Sequence, residues 1–177
     1  FTGIAGPHIK SINSYGIVAV KGTEVEESDV KRAMEAARAI SMPLDREVLH
    51  ILPQLYLVDD QDIKDPIGMS GVRLEVRVHI ITGMVTAVQN ILKAVNGVGL
   101  ETNEIVLEQL AASEAVLSED EKELGVVLVD IGGGTTDIAV FSGGSLKYTS
   151  VLPIGGNYLT NDIAIGLRTP VTEAEKV

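Results

Sequence analysis

The residues best equipped for chemistry lie in one run. An apolar stretch, Val126–Ile131, carries a single carboxylate, Asp130, near its end and leads into Gly132-Gly133-Gly134-Thr135-Thr136. Three glycines leave no side chains to keep an anion away, and successive backbone N–H groups at such a turn can converge on a phosphate as a nest. Thr135 can add a hydroxyl. Asp130, at the mouth of the turn, is placed to hold a hydrated Mg²⁺ or to orient a water beside a terminal phosphate, because hard divalent cations favour carboxylate and water oxygens. A dinucleotide fold needs a helix after its glycine turn, and a P-loop ends in Gly-Lys-Ser/Thr. Here Asp137–Phe141 reads as a second strand and, after Ser142-Gly143-Gly144, Ser145–Val151 reads as a third. Both of those motifs are excluded. The glycines form a hairpin tip, and geometry alone leaves two readings of it open, a phosphate nest or a plain tight turn.

The other chemical candidates are weaker. His8, His50 and His79 are scattered without metal-ligand spacing. The loop holding Asp59, Asp60, Asp62 and Asp65 lacks the glycine and closing glutamate of a calcium loop and reads as a solvated turn. Arg73 and Arg77 share a strand face, where they can pair with Glu75 or with a partner's carboxylate, or charge an exposed surface. Without cysteine there is no disulfide, thiolate zinc site, iron–sulfur cluster or cysteine nucleophile. A net charge of -11 over 177 residues argues against an electrostatic grip on nucleic acid. With 45% hydrophobic residues the chain should bury a core, yet no apolar run approaches the ~20 residues that span a bilayer.

The elements that must position these residues read as α/β. Phe1–Gly6 ends a strand, Pro7 marks a boundary, and Ile17–Val20 suggests a short second strand. Val30, Met34, Ala37 and Ile40 recur at helical spacing, with Ser28 as N-cap and an end near Ser41. Arg46–Asp60, with Pro53 inside, predicts an edge or kinked strand. Val72, Leu74, Val76, Val78 and Ile80 alternate with Arg73, Glu75, Arg77 and His79, the pattern of a long half-buried strand. A helix through Met84–Val95, a strand at Glu104–Leu107 and a helix at Leu110–Leu117 follow. Ser118–Glu123 reads as a solvated charge run and a hinge between domains. Phe1 inside a strand and a helix only beginning at the last residues predict that the chain is a piece of a longer protein.

The order of strand, Asp130-Ile131-Gly132-Gly133-Gly134-Thr135-Thr136-Asp137-Ile138-Ala139 and strand resembles the second phosphate loop of the actin, Hsp70 and sugar-kinase ATPase superfamily. Leu107–Leu117 resembles its first connecting helix, and Pro153–Leu167 the helix after the second phosphate hairpin. Within that superfamily the chain is most similar to the FtsA family of bacterial cell-division actin homologues. The similarity is carried by Val48–Gln54, Pro66–Arg73, Val78–Thr82, Glu123–Val126, the phosphate segment, Gly156-Asn157 and Thr160–Ala164.

The resemblance implies a partial actin-like (ribonuclease H-like) ATPase fold of the α/β class. Residues 1–6 and 79–117 would form part of subdomain IA, and residues 118–177 the start of subdomain IIA with the phosphate-2 hairpin. Residues 7–78 would form the small inserted α+β subdomain 1C, which is SHS2-like. By the same resemblance Asp130 matches the acidic residue that acts through Mg²⁺ and water, and Gly132, Gly133, Gly134 and Thr135 match the phosphate cradle. Glu108 matches the residue that helps place an attacking water, while Gln109 departs from the proline usual after it. The whole protein would bind ATP and Mg²⁺, polymerise, act at most as a weak ATPase, and link the ring protein FtsZ to the membrane and to later division proteins. It would work on the cytoplasmic face of the cell membrane at the division site. Contacts with itself and with other division proteins would use subdomain 1C; the FtsZ-binding face and a C-terminal membrane helix would lie outside these residues. This piece, holding half a nucleotide site, is expected to be inactive and to bind no cofactor alone. A PilM-type pilus-assembly scaffold and a small-molecule kinase of the same superfamily stand as alternatives.

Overall fold

A computed structural model describes all residues from Phe1 to Val177. In chain order its elements are β1 (Thr2–Ile4), β2 (Lys10–Ala19), α1 (Glu27–Arg38), β3 (Arg46–Val58), β4 (Gln61–Ile63), β5 (Arg73–Met84), α2 (Val85–Gly97), β6 (Ile105–Leu107), α3 (Glu108–Val116), α4 (Glu119–Leu124), β7 (Val126–Ile131), β8 (Thr136–Ser142), β9 (Ser145–Leu152), α5 (Gly156–Leu167) and α6 (Val171–Ala174). They build three sheets: β1 parallel to β6, a four-stranded sheet in the order β2-β5-β3-β4, and an antiparallel sheet β7-β8-β9.

The alternation seen in the sequence makes β5 the centre. Its even-numbered residues Leu74, Val76, Val78 and Ile80 are fully buried in a core shared with Val25, Ala33 and Ala37, so α1 covers that face. Successive strand residues point to opposite faces. The odd-numbered face was expected to meet solvent, but Glu75, His79 and Ile81 are buried too. Ile81 joins a second core with Ile4, Leu107, Ala139, Phe141 and Leu146, which belong to the other two sheets. The strand is therefore covered on both faces along its second half, not half-buried. On the first half, Glu75 accepts from Arg73 at 2.9 Å and Arg77 at 3.1 Å, so both arginines are paired within the strand.

Several boundaries differ from the expected ones. The second strand is not a short one at Ile17–Val20; β2 begins at Lys10 and pairs with β5 residue by residue from Lys10↔Thr82 to Ala19↔Arg73. Its polar first half is satisfied by long-range partners: Asn13 Oδ1 meets His79 Nδ1 at 2.6 Å, Ser11 Oγ donates to Thr149 O at 3.3 Å, and Ser14 Oγ donates to Ala37 O at 2.9 Å. The first helix is capped at Glu26, whose N–H donates to Asp29 Oδ2 at 3.1 Å, in place of Ser28, and ends at Arg38, short of Ser41. Gly16 lets this helix lie directly on β2, since a Cβ there would stand 2.0 Å from Ala33 O. Pro53 falls at a bulge of β3, past the reach of β4, where no ladder hydrogen bond is required of it. The Ser118–Glu123 run is a short capped helix, not a free hinge. Lys122 turns inward to pair with Glu114 at 2.7 Å and Glu119 at 2.9 Å, and these hydrogen bonds hold its ammonium form to higher pH than usual.

His79 joins the two larger sheets: its Nε2 lies 3.1 Å from Thr149 Oγ1 on β9. Burial lowers its pKa below the ordinary imidazole value. A histidine with a depressed folded pKa contributes stability above its unfolded value, about 6.5, and loses it as the pH falls below that value. Urea unfolding of the wild-type chain should therefore show a midpoint that drops between pH 7.5 and 5.5. His79→Gln, which can keep one hydrogen bond but cannot titrate, should show a shallower drop; identical slopes would remove His79 as the cause.

Candidate functional site

The hairpin β7–β8 closes through the pairs Asp130↔Asp137 and Ile131↔Thr136, leaving Gly132–Thr135 as the connecting loop. Gly132 N–H donates to Thr135 O at 2.9 Å and pinches it shut. The N–H groups of Gly133, Gly134 and Thr135 make no hydrogen bond within the chain, and the three glycines are exposed. None of these glycines has a positive φ. A Cβ would meet nothing within 4 Å at Gly134, Thr135 O at 3.4 Å at Gly132 and the Asn157 side chain at 3.3 Å at Gly133, so the absence of side chains leaves the tip open.

The start of α5 braces the loop from behind. Gly156 N–H donates to Gly132 O and Asn157 N–H to Gly133 O, each at 2.9 Å, while Thr136 Oγ1 donates to Ile154 O at 2.7 Å. The free donors of the first helical turn are thus spent on loop carbonyls. This engages the carbonyls of Gly132 and Gly133 and leaves the N–H groups of Gly133, Gly134 and Thr135 without a partner in the chain. Gly155 makes the approach possible, because a Cβ there would lie 2.4 Å from Gly132 O and 2.7 Å from the Gly133 carbonyl.

Two carboxylates face each other across the hairpin in different surroundings. Asp130 is exposed at the mouth. Asp137 is buried, 7% exposed, and receives hydrogen bonds from Thr135 Oγ1 at 3.0 Å and from the side-chain amide of Gln109. Burial pushes its pKa up, the Thr135 hydrogen bond pulls it down, and the Asp130 charge pushes it up further.

Asp130, Gly132, Gly133, Gly134 and Thr135 are therefore gathered at one tip. Glu108 is placed differently. It opens α3 as an exposed residue and its side chain lies over β1, where a Cβ on Gly3 would meet Glu108 Cγ at 3.0 Å. The next residue, Gln109, is the one that reaches the hairpin. Asp137 and Gln109 were not singled out as site residues from the sequence. The available signal was register, since a hairpin closing at Ile131/Thr136 sets Asp137 opposite Asp130.

A family model described as "SHS2 domain inserted in FTSA" matches residues 6–82, and one described as "Cell division protein FtsA" matches residues 127–177. Among curated proteins, the cell division protein FtsA of Pseudomonas aeruginosa is 56% identical over 178 residues, covering 100% of this chain and 43% of that protein. The Neisseria meningitidis protein of the same name is 53% identical, over 99% and 43%, and that of Escherichia coli K12 is 43% identical, over 100% and 42%. The chain thus spans about two fifths of the length of the curated relatives it matches. Among solved structures, the PilM-PilN type IV pilus biogenesis complex has a similar fold, with a TM-score of 0.62 at 21% identity over 94% of this chain and 46% of that one.

The close contact at Gly155 can be tested directly. Gly155→Ala should push the loop off α5, lowering stability by about 1–3 kcal/mol and moving the amide resonances of Gly132–Thr135. A variant with wild-type urea midpoint and unshifted resonances would show that the loop does not depend on this approach.

Proposed function

The chain belongs to the FtsA family of cell-division proteins, with an SHS2 domain set into part of an actin-like α/β fold, and from that premise we propose that it supplies one half of the Mg²⁺–ATP site of a cell-division scaffold. The observation that carries the proposal is the hairpin tip. Three consecutive N–H groups at Gly133, Gly134 and Thr135 are unpaired, the glycines are exposed, and an exposed carboxylate, Asp130, lies at the mouth of the same hairpin. Donors of this kind suit phosphate oxygens, and an exposed carboxylate suits a hydrated hard cation. The residues therefore fit the group. Asp130 would hold Mg²⁺ through its water shell, and Gly133, Gly134 and Thr135 would cradle the phosphates, with Gly132 closing the cradle through its N–H to Thr135 O. The cation supplies charge neutralisation at the terminal phosphate.

In this reading residues 1–6 and 79–117 belong to subdomain IA, residues 118–177 begin subdomain IIA, and residues 7–78 form the inserted 1C. ATP sets the shape of the subunit, and any hydrolysis is slow. Glu108, at the start of α3 over β1, would help place an attacking water, and Asp130 would act through Mg²⁺. The protein joins FtsZ to the membrane and to later division proteins, with 1C making contacts to itself and to those proteins. It is peripheral at the cytoplasmic face of the cell membrane; no helix here is long and apolar enough to cross one. Identities of 56% and 53% to cell-division proteins favour this reading over a pilus scaffold, for which the support is a shared fold.

In the full-length protein, Asp130→Ala should weaken Mg²⁺–ATP binding about tenfold or more while the circular dichroism spectrum is kept. Unchanged affinity would remove Asp130 from the site. Calorimetric titration of this 177-residue chain alone should show no saturable binding of Mg²⁺–ATP below about a millimolar. Tight binding would mean that these residues hold the whole pocket.

A further inference from the structure

Gln109 is the residue that departs from the expected pattern, with glutamine where a proline is usual, and it does something no proline could. Its side chain is almost fully buried, 2% exposed, at the second position of α3. Its Nε2 donates to Asp137 Oδ1, while its Oε1 is buried without a partner. Leaving an amide oxygen buried and unpaired carries a desolvation penalty, so the contact to Asp137 is held at the expense of a polar atom. Reversing the amide would put an oxygen against the Asp137 carboxylate, which is worse. The donor must face Asp137.

The other oxygen of Asp137 accepts from Thr135 Oγ1 at 3.0 Å. An ionised carboxylate can only accept. Thr135 therefore spends its single hydroxyl proton inward, and what its oxygen can still offer at the tip is lone pairs. Such an oxygen repels a phosphate and attracts a cation or the protons of a cation's hydration water. Were Asp137 free to turn or to hold a proton of its own, Thr135 could reverse and donate outward.

We infer that Gln109 is a positioning residue of the hairpin: by fixing the Asp137 carboxylate it makes Thr135 keep an oxygen lone pair for the tip, which would suit the hydration water of a cation held by Asp130 and not a phosphate. The inference rests on the phosphate reading of the hairpin. It divides labour at the tip. The backbone N–H groups of Gly133, Gly134 and Thr135 take the phosphate, and the side chains of Asp130 and Thr135 take the cation's water.

The distinguishing readout is the factor by which Mg²⁺ strengthens ATP binding, measured on the full-length protein with Mg²⁺ and with EDTA. Gln109→Met keeps the side-chain length without the donor, and Gln109→Leu keeps its bulk without the donor; neither adds a charge or a proton beside Asp137. Each should cut the Mg²⁺ enhancement about threefold or more, with metal-free affinity held within about twofold. A merely structural role would weaken both affinities together. A folded variant of either kind with the wild-type enhancement, or with both affinities reduced alike, overturns the inference. A second readout needs no nucleotide: in this chain alone the Gln109 side-chain N–H protons should resonate downfield and exchange slowly, as donors to a carboxylate do. Fast exchange at ordinary shifts refutes the link to Asp137 whatever ATP does. Slow exchange in a full-length protein that binds no ATP would mean that the phosphate reading has failed, and the role at the mouth with it, while the contact stands.

Discussion

The strand β5 has to be buried on both faces, and most of the molecule follows from that requirement. A strand that alternates strictly can send its side chains to two cores only if something apolar waits on each side. Leu74, Val76, Val78 and Ile80 meet α1 and its core; Ile81 meets the core built by β1, β6, β8 and β9. The two cores are thus tied through one stretch of backbone. The inserted four-stranded sheet cannot tilt against the hairpin sheet without moving Ile81 and His79 out of their places. Polar cross-links reinforce the tie: His79 to Thr149, and Gln54 Nε2 to Leu146 O at 2.8 Å and Lys147 O at 3.2 Å. Each satisfies a group whose burial would otherwise be costly.

That double burial also marks where sequence reading stops. Periodicity showed β5, α1, α2 and the three strands of the hairpin sheet, because their apolar residues recur at 2 or 3.6 and short-range pattern is all such a reading uses. It missed the first half of β2, since Ser11, Asn13 and Ser14 look like loop residues until their partners on Thr149, His79 and Ala37 are known. It took His79 for a solvent-facing residue for the same reason. The charge run at Ser118–Glu123 looked fully solvated because Lys122 is satisfied by Glu114, eight residues back, as well as by Glu119. In each case a polar residue is held in place by an atom distant in the sequence. No local window contains that information.

At the tip the glycines, Thr135 and Asp130 were legible, since their meaning is chemical and local. The supports behind them were not. Gly155 matters through an approach to Gly132 that no spacing rule anticipates, and Gln109 matters through a strand facing it from another element. The carbonyls of Gly132 and Gly133 are taken up by the first turn of α5. The loop and the helix behind it are one unit.

The four-stranded sheet enters and leaves the rest of the chain through neighbouring strand ends. Lys10 on β2 is paired directly with Thr82 on β5, and Arg46 stitches the same spot, donating to His8 O and Thr82 O at 2.9 Å each and to Thr82 Oγ1 at 3.0 Å. Antiparallel partners sit only about 5 Å apart. Seen from the host, some seventy residues of inserted chain occupy the footprint of an ordinary tight connection. A fold that acquires such a module closes no long loop and moves no strand of its own, so the entropy of joining it is small. The covalent junction is narrow, yet Gln54 and His79 reach across to the hairpin sheet, so any change to the module's inner face must keep those two links while its outer surface is free to vary.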